Sequence, residues 1–521
     1  MTIGKSTRAN ESPGRLLAGV AVAATALVLA VRLVFASQVN FCGGADACYY
    51  FALAREIASR HDFLLNFVWN YQSDRIDLPN LAGTYWRPGT SLLLQITAPL
   101  GEVSLRSSAM MASLATIVAA LAAADFVRSL TSRTRTALLA YIIALCLPTF
   151  WVIALQADSA VFYGAAVSWF LVLFLPTHRN VARDVLALLC LAAAYLIRND
   201  AILLAVPFAA VLAIRTRESA VERRYALVLA GAFALALLPT HLVTWWITGR
   251  LTNGSILSVL FFHDIADFSS YGRRLNFASW WAIGPAALLE QRGAVLIQIM
   301  HHLMMSFGGA ATVLAIVGVA IGLLSRPSTF ARTLAGPAAF LLSMVLVYAF
   351  VLPAIGDHAA QRSYTGFLPI LAALAAYCID EIAVSRPAWL ALSTVVVSFL
   401  AFDGINRARI TLDDNRKELA QYHAEAQLIE RSSPKPRQAL AMVANPAVFT
   451  TTTGIPSVAL PTNGPAAVRQ AARDFNATAI VVDRWSHILS DDRELAAAPR
   501  LGVPGSQLVV ISLIGAGADG L

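Results

Sequence analysis

Asp46 stands in the run Cys42-Gly43-Gly44-Ala45-Asp46-Ala47-Cys48-Tyr49-Tyr50, just beyond the first stretch apolar enough to cross a bilayer. Further ionisable residues interrupt the later apolar stretches. They are Arg87-Pro88, Gln156-Ala157-Asp158-Ser159, Arg198-Asn199-Asp200, Asp357-His358 and Gln361-Arg362-Ser363-Tyr364. Charge at membrane depth is expensive, so such residues are the first candidates for function. A carboxylate can take the proton of an attacking hydroxyl. Arginine's planar fork grips phosphate oxygens in pairs. Together they suit a substrate with an anionic headgroup and a hydroxyl to be activated. Each residue also has a structural alternative. Asp46, Asp158 and Asp200 suit helix caps, Arg198 and Asp200 can close a turn as an ion pair, and Arg362 can anchor a helix at the interface.

The elements that must position these residues are membrane helices. Of 521 residues, 58% are hydrophobic and 13% charged, and the mean hydropathy is +0.64. That excludes an ordinary soluble protein. The net charge of +8 comes from short basic clusters between apolar runs, as in a polytopic membrane protein rather than a nucleic-acid binder. Apolar stretches long enough to span, or nearly so, run over 16–36, 104–127, 136–155, 159–176, 184–197, 201–214, 225–247, 303–325, 335–355, 364–384 and 387–404, about eleven spans. The first reads as a retained anchor. The apolar segment 88–101, bracketed by Pro88 and Gly101, is too short and reads as interfacial. Arginines cluster at 128–135, 179–183, 215–224 and 326–332, at every second connection. If these face the cytoplasm, the N-terminus does too, and the residues singled out above share the outer leaflet. The long outer loops are then 37–103 and 248–302. The first should open with an interfacial helix that carries Asp46 at its start. Residues 1–404 form the membrane domain. Residues 405–521 change composition and read as a small extracytoplasmic α/β domain. It comprises a charged helix at 411–432, strands near 440–443, 457–460, 478–482 and 507–513, and a helix near 465–475.

Other signals are weaker. His263 and Asp267 have the spacing of a metal pair but no evident third ligand, so no metal or other cofactor is expected. Their aromatic loop (Phe261, Phe262, Phe268, Tyr271, Trp280, Trp281) reads as an interfacial belt. Cys42 and Cys48 flank Asp46 on the oxidising side and could be bridged.

The run from Asp46 to Arg55 resembles the first-loop motif of the GT-C fold membrane glycosyltransferases, among them bacterial protein mannosyltransferases and aminoarabinose transferases. Arg87 to Leu94 is similar to the family's Pro-containing segment, Tyr195 to Ala201 to its Arg-x-Asp turn, and His358 to Pro369 to its late Arg-x-Tyr segment. Asn445-Pro446 and Thr453 to Pro456 resemble a tail sequence of bacterial members. The resemblance implies a GT-C-like bundle in a bacterial cytoplasmic membrane. It also implies transfer of a sugar from a polyprenyl-phosphate donor to a glycan, lipid or protein hydroxyl, with inversion. In that reading Asp46 and Asp158 are catalytic, and Arg87, Arg198, Asp200, His358, Arg362 and Tyr364 bind substrate. The phosphate falls to Arg362, Arg198 and Arg87, in that order. Two positions depart from the pattern: Ala45 stands where many members have a second acid, and Pro88-Gly89 replaces a double proline. A carrier of lipid-linked saccharides, or a scaffold that kept the fold without the chemistry, are the competing classes.

Overall fold

The computed structural model describes residues 13–72, 76–83, 85–100, 102–177, 180–217, 220–251, 258–273, 275–432, 438–483, 500–503 and 508–512. Each apolar stretch identified above is helical. Among the described residues, six helices are long and apolar enough to cross a membrane, or eight if each of two bent pairs counts as one span. Thr134–Leu145, Ser159–Leu173 and Val181–Ile197 are shorter apolar helices of the same bundle. Alanine and other small residues let these helices approach closely, since lipid gives helices no hydrophobic reason to associate. Ala119, Ala120, Ala122, Ala123, Ala140 and Ala144 are buried.

Several expected spans are broken, each for a visible reason. The stretch 136–155 divides into Thr134–Leu145 and Pro148–Ile153, because Pro148 takes the first position of a new helix. Arg32, buried on the first span, donates to the Leu145 carbonyl at 2.8 Å and lies 4.8 Å from the Trp151 ring centroid. A cation at a helix C-terminus is favourable. Pro285–Phe307 and Gly309–Ser325 meet at 100°, with Gly308 left-handed between them (φ 81). A helix therefore begins at Pro285, within the stretch 248–302 expected as outer loop. The expected span 387–404 and charged helix 411–432 are one continuous helix, Arg386–Ser432, so the expected boundary at 404 falls inside it. The segment 88–101 forms a short helix, Gly89–Leu94, followed by a 3-10 turn, Gln95–Leu100, with no span of its own.

The C-terminal strands form where expected, in a sheet of order 67–68, 457–459, 441–443, 479–483, 508–512, 500–502. The first four are parallel and the last two antiparallel to their neighbours. The edge strand Phe67–Val68 comes from the first outer loop, which sequence patterning missed because two residues carry no period. The Tyr71 phenol bonds the Ala459 carbonyl, and the Tyr271 hydroxyl donates to Asp474 at 2.6 Å. Both long loops are thereby fastened to the C-terminal domain.

Candidate active site

Asp46 lies in the first turn of the helix Ala45–Arg60, and Gly44, extended, holds the N-cap position. Asp46 is therefore not the cap, and its carboxylate is turned to other partners. The entry to the helix needs Gly43, which is left-handed (φ +93) and packed against the Gln156 side chain. Cys42 and Cys48 are bonded, closing a ring of backbone that contains Asp46.

Arg362 reaches this carboxylate from the helix Pro353–Ser363. Its Nη1 is 3.3 Å from Asp46 Oδ2 and its Nε 2.9 Å from Asp158 Oδ2. Asp158 in turn caps the helix Ser159–Leu173, accepting from the Ala160 amide at 2.8 Å. Burial alone would raise the Asp158 pKa, but Arg362 and the Ala160 amide outweigh it and hold the group below its ordinary value. Asp158 is therefore the helix cap, and the same side chain holds Arg362.

Arg198 and Asp200 form the ion pair anticipated for the turn. Arg198 Nε and Nη2 bond the Asp200 oxygens at 3.0 Å, and Nη1 reaches Ser159 Oγ at 3.2 Å. Asp200 also accepts from the Tyr348 hydroxyl at 2.7 Å and from Ser363. Most of these bonds fall on Oδ2, and Oδ1 accepts from Arg198 Nε.

Arg87 differs. It is buried, with Nη1 bonding Thr244 Oγ1 at 2.6 Å, Nε bonding Asn199 Oδ1, and its guanidinium 5.2 Å from the Tyr195 ring centroid. All of these partners are neutral. Gly89 allows this placement: a Cβ there would strike the Leu196 backbone carbonyl, so the departure from the double proline lets the Arg87 segment sit against the end of the helix Val181–Ile197.

A cavity of about 730 Å³ joins these residues. Asp46, Arg87, Arg198, Asp200 and Arg362 line it, together with Tyr50, Trp69, Tyr85, Trp86, Asn199, His241 and Tyr348. Its apolar side consists of Ile202, Leu203, Val259, Leu260, Ile265, Val347, Leu352 and Ile355. Burial, with Asp46 nearby, pushes the Tyr85 phenol up and keeps it a protonated donor. Asp158 stands behind Arg362 and outside the lining. Tyr364 is also outside it, buried with its hydroxyl 2.7 Å from Ser306 Oγ. The backbone of His358 belongs to the helix Pro353–Ser363, but its side chain lies outside the described residues. Among the cavity aromatics, Phe268 belongs to the loop read above as an interfacial belt and Tyr50 and Tyr195 to the resembled motifs, whereas Trp69, Tyr85, Trp86, Tyr348 and His241 were not singled out by sequence. Aromatic and hydroxyl residues in apolar runs look the same whether they face lipid or a site. Asp264 and Asp267 cap a 3-10 turn, Asp264 accepting from the Ala266 amide and Asp267 from the His263 amide. Among the described residues, no three His, Cys, Asp or Glu side chains are grouped to hold a metal ion.

Comparison with known proteins agrees with this architecture. Residues 87–246 match the dolichyl-phosphate-mannose-protein mannosyltransferase family. No curated protein sequence gives a significant match. Among solved structures, ArnT from Cupriavidus metallidurans in the apo state is similar at 12% identity, covering 96% of this chain and 98% of that one, with a TM-score of 0.62. The same protein bound to undecaprenyl phosphate is similar at 13% identity over 95% and 98% of the two chains, with a TM-score of 0.60. The Archaeoglobus fulgidus oligosaccharyltransferase tethered to an acceptor peptide is similar at 13% identity, over 88% and 69%, with a TM-score of 0.50. The chain is thus a multi-span membrane protein built on the fold of the GT-C glycosyltransferases, with a small C-terminal α/β domain.

Proposed function

We propose that the protein transfers a sugar from a polyprenyl-phosphate donor to an acceptor hydroxyl at the outer face of the bacterial cytoplasmic membrane, with inversion at the anomeric carbon. The observation that carries this reading is the cavity in which Asp46 meets Arg362 while Arg87, among the described residues, keeps only neutral partners. The similar ArnT structure with undecaprenyl phosphate bound supports a lipid-phosphate substrate.

Asp46, aimed by Arg362, takes the proton of the acceptor hydroxyl as its oxygen attacks the anomeric carbon. The bond from that carbon to the phosphate oxygen breaks, and the lipid phosphate leaves with the electron pair. Base assistance of this kind contributes about 10²–10⁴-fold. Arg87, ahead of Arg362 and Arg198, then meets the departing phosphate. Arg198 is matched to Asp200, and Arg362 is shared by Asp46 and Asp158, so the charge of Arg87, unmatched among the described residues, is the one a phosphate completes. Asp158 and Asp200 hold the two inner arginines rather than the substrate. The apolar side of the cavity suits the first isoprene units. The step calls on no metal, since guanidinium meets the charge on the leaving group.

The outer-face assignment rests on charge. At the opposite ends of the helices, Arg133 and Arg135 pair with Asp380, Arg183 with Asp125 and Arg215 with Asp184, among the arginine clusters that belong in the cytoplasm. Purified protein incubated with labelled polyprenyl-phosphate pentoses and hexoses, with and without EDTA, tests the reading. Covalent transfer in both conditions is expected. Binding with movement across the bilayer but no transfer would mark a carrier, and neither would mark a scaffold.

A further inference from the structure

We infer that the C-terminal domain supplies part of the sugar-binding wall, with the side-chain amide of Asn445 reading two neighbouring ring hydroxyls in the cavity shared with Trp69 and Trp86. The inference rests on the transfer reading above and names a recognition residue for it. Ala444, Asn445 and Pro446 all line the cavity, although they lie more than 80 residues beyond its other polar groups. Asn445 precedes the helix Pro446–Thr453, where an asparagine ordinarily caps, yet its side chain makes no cap bond. Its carbonyl accepts from the Phe449 amide at 3.0 Å, while its amide has no hydrogen-bond partner among the described residues.

A carboxamide presents an acceptor and two donors side by side. In a cavity lined mostly by aromatic and aliphatic carbon, a ligand that displaced water without matching those atoms would bind poorly. Two vicinal hydroxyls match them, because each hydroxyl both donates and accepts. Tyr50, Trp69, Tyr85 and Trp86 line the same cavity and offer flat carbon surface to the apolar faces of a ring. Trp69 and Trp86 are stacked on each other at 3.9 Å between centroids, so the pair is rigid.

Asn445 is held in register with Asp46. It follows the strand Ala441–Val443, whose Val443 carbonyl accepts from the Leu460 amide at 2.8 Å. The helix after it packs on the helix that carries Asp46, where Thr451 Oγ1 lies 3.5 Å from the Cys48 carbonyl. The loop strand Phe67–Val68 extends the same sheet one residue before Trp69. The domain therefore fixes both the amide and one of the tryptophans.

The hydroxyl pair can belong to the donor sugar or to a sugar acceptor, and the test separates them. Asn445→Ala and the wild type are compared in the labelled-transfer assay, each substrate varied in turn, alongside binding of undecaprenyl phosphate carrying no sugar. The expected result is a KM raised about tenfold or more for one sugar-bearing substrate, with kcat within a few-fold and undecaprenyl phosphate affinity unchanged. The substrate whose KM moves identifies the source. Unchanged KM for both substrates overturns the inference. A parallel loss of undecaprenyl phosphate affinity also overturns it, since the variant would then have displaced the domain. A wild type that transfers nothing refutes the underlying reading instead, and the inference falls with it.

Discussion

Replacing Arg87 with methionine keeps an unbranched side chain about as long as arginine's aliphatic stem and removes the charged fork. Its present partners tolerate the loss. Asn199 still donates to the Tyr85 carbonyl at 3.0 Å and Thr244 to the Thr240 carbonyl at 2.8 Å, so no buried charge is orphaned. What disappears is a guanidinium available to a phosphate. One charge-assisted hydrogen bond contributes about 1.5–3 kcal/mol net, and about 1.4 kcal/mol is tenfold in affinity. Arg87→Met should therefore weaken undecaprenyl phosphate binding about 10- to 150-fold while the protein stays folded. Arg87→Lys keeps the charge but not the fork, and should fall between. Arg198→Met is a different perturbation. It leaves Asp200, whose side chain is 11% exposed, without its counter-charge, at a cost of about 3–5 kcal/mol to the fold. Equilibrium binding of labelled undecaprenyl phosphate, with thermal unfolding as the control, separates these effects. Wild-type affinity in a folded Arg87→Met protein would refute the assignment of the phosphate to Arg87.

Two further expectations concern the parts that hold the site. Ionised Asp158 carries a depressed pKa, so its contribution to stability is present above the ordinary aspartate value of about 3.9 and is lost only as pH falls through the lower folded value. Asp158→Asn should thus lower the thermal midpoint by the same amount at pH 5 as at pH 8, and a difference between the two would contradict the assigned charge state. The Cys42–Cys48 bond closes a loop whose chain-entropy value is about 2 kcal/mol. The double serine variant should lose stability on that scale and turn over more slowly, while intact mass with and without reductant confirms the bond. Unchanged turnover would show that Asp46 needs no such tether.

Much of the site was legible because charge inside an apolar chain is conspicuous. Asp46, Arg87, Arg198, Asp200 and Arg362 were found that way, and they line one cavity. What sequence left open was the pairing. Arg198 with Asp200 is local, two residues apart, and was anticipated. The sharing of Arg362 between Asp46 and Asp158 joins three distant segments and follows only from the helix packing. That pairing is also why the proposal gives the phosphate to Arg87 rather than Arg362. The disulfide was legible as proximity and oxidation state but not as a formed bond. Gly308-Gly309 was a readable break that periodicity passed over, because the apolar pattern continues beyond it. The docking of the C-terminal domain left almost no trace in sequence. Its contact strand is two residues long, and Asn445-Pro446 stands in the sequence as part of a resembled tail motif with nothing to say that it faces a cavity.

The most direct test of Asp46 as the base is a single-turnover transfer measurement on Asp46→Asn, using the labelled donor that the wild type accepts. Asparagine keeps the shape and cannot take the proton. The variant should insert, fold and bind undecaprenyl phosphate like the wild type while its transfer rate falls about 10²–10⁴-fold. Transfer within a few-fold of the wild-type rate would show that some other group activates the acceptor.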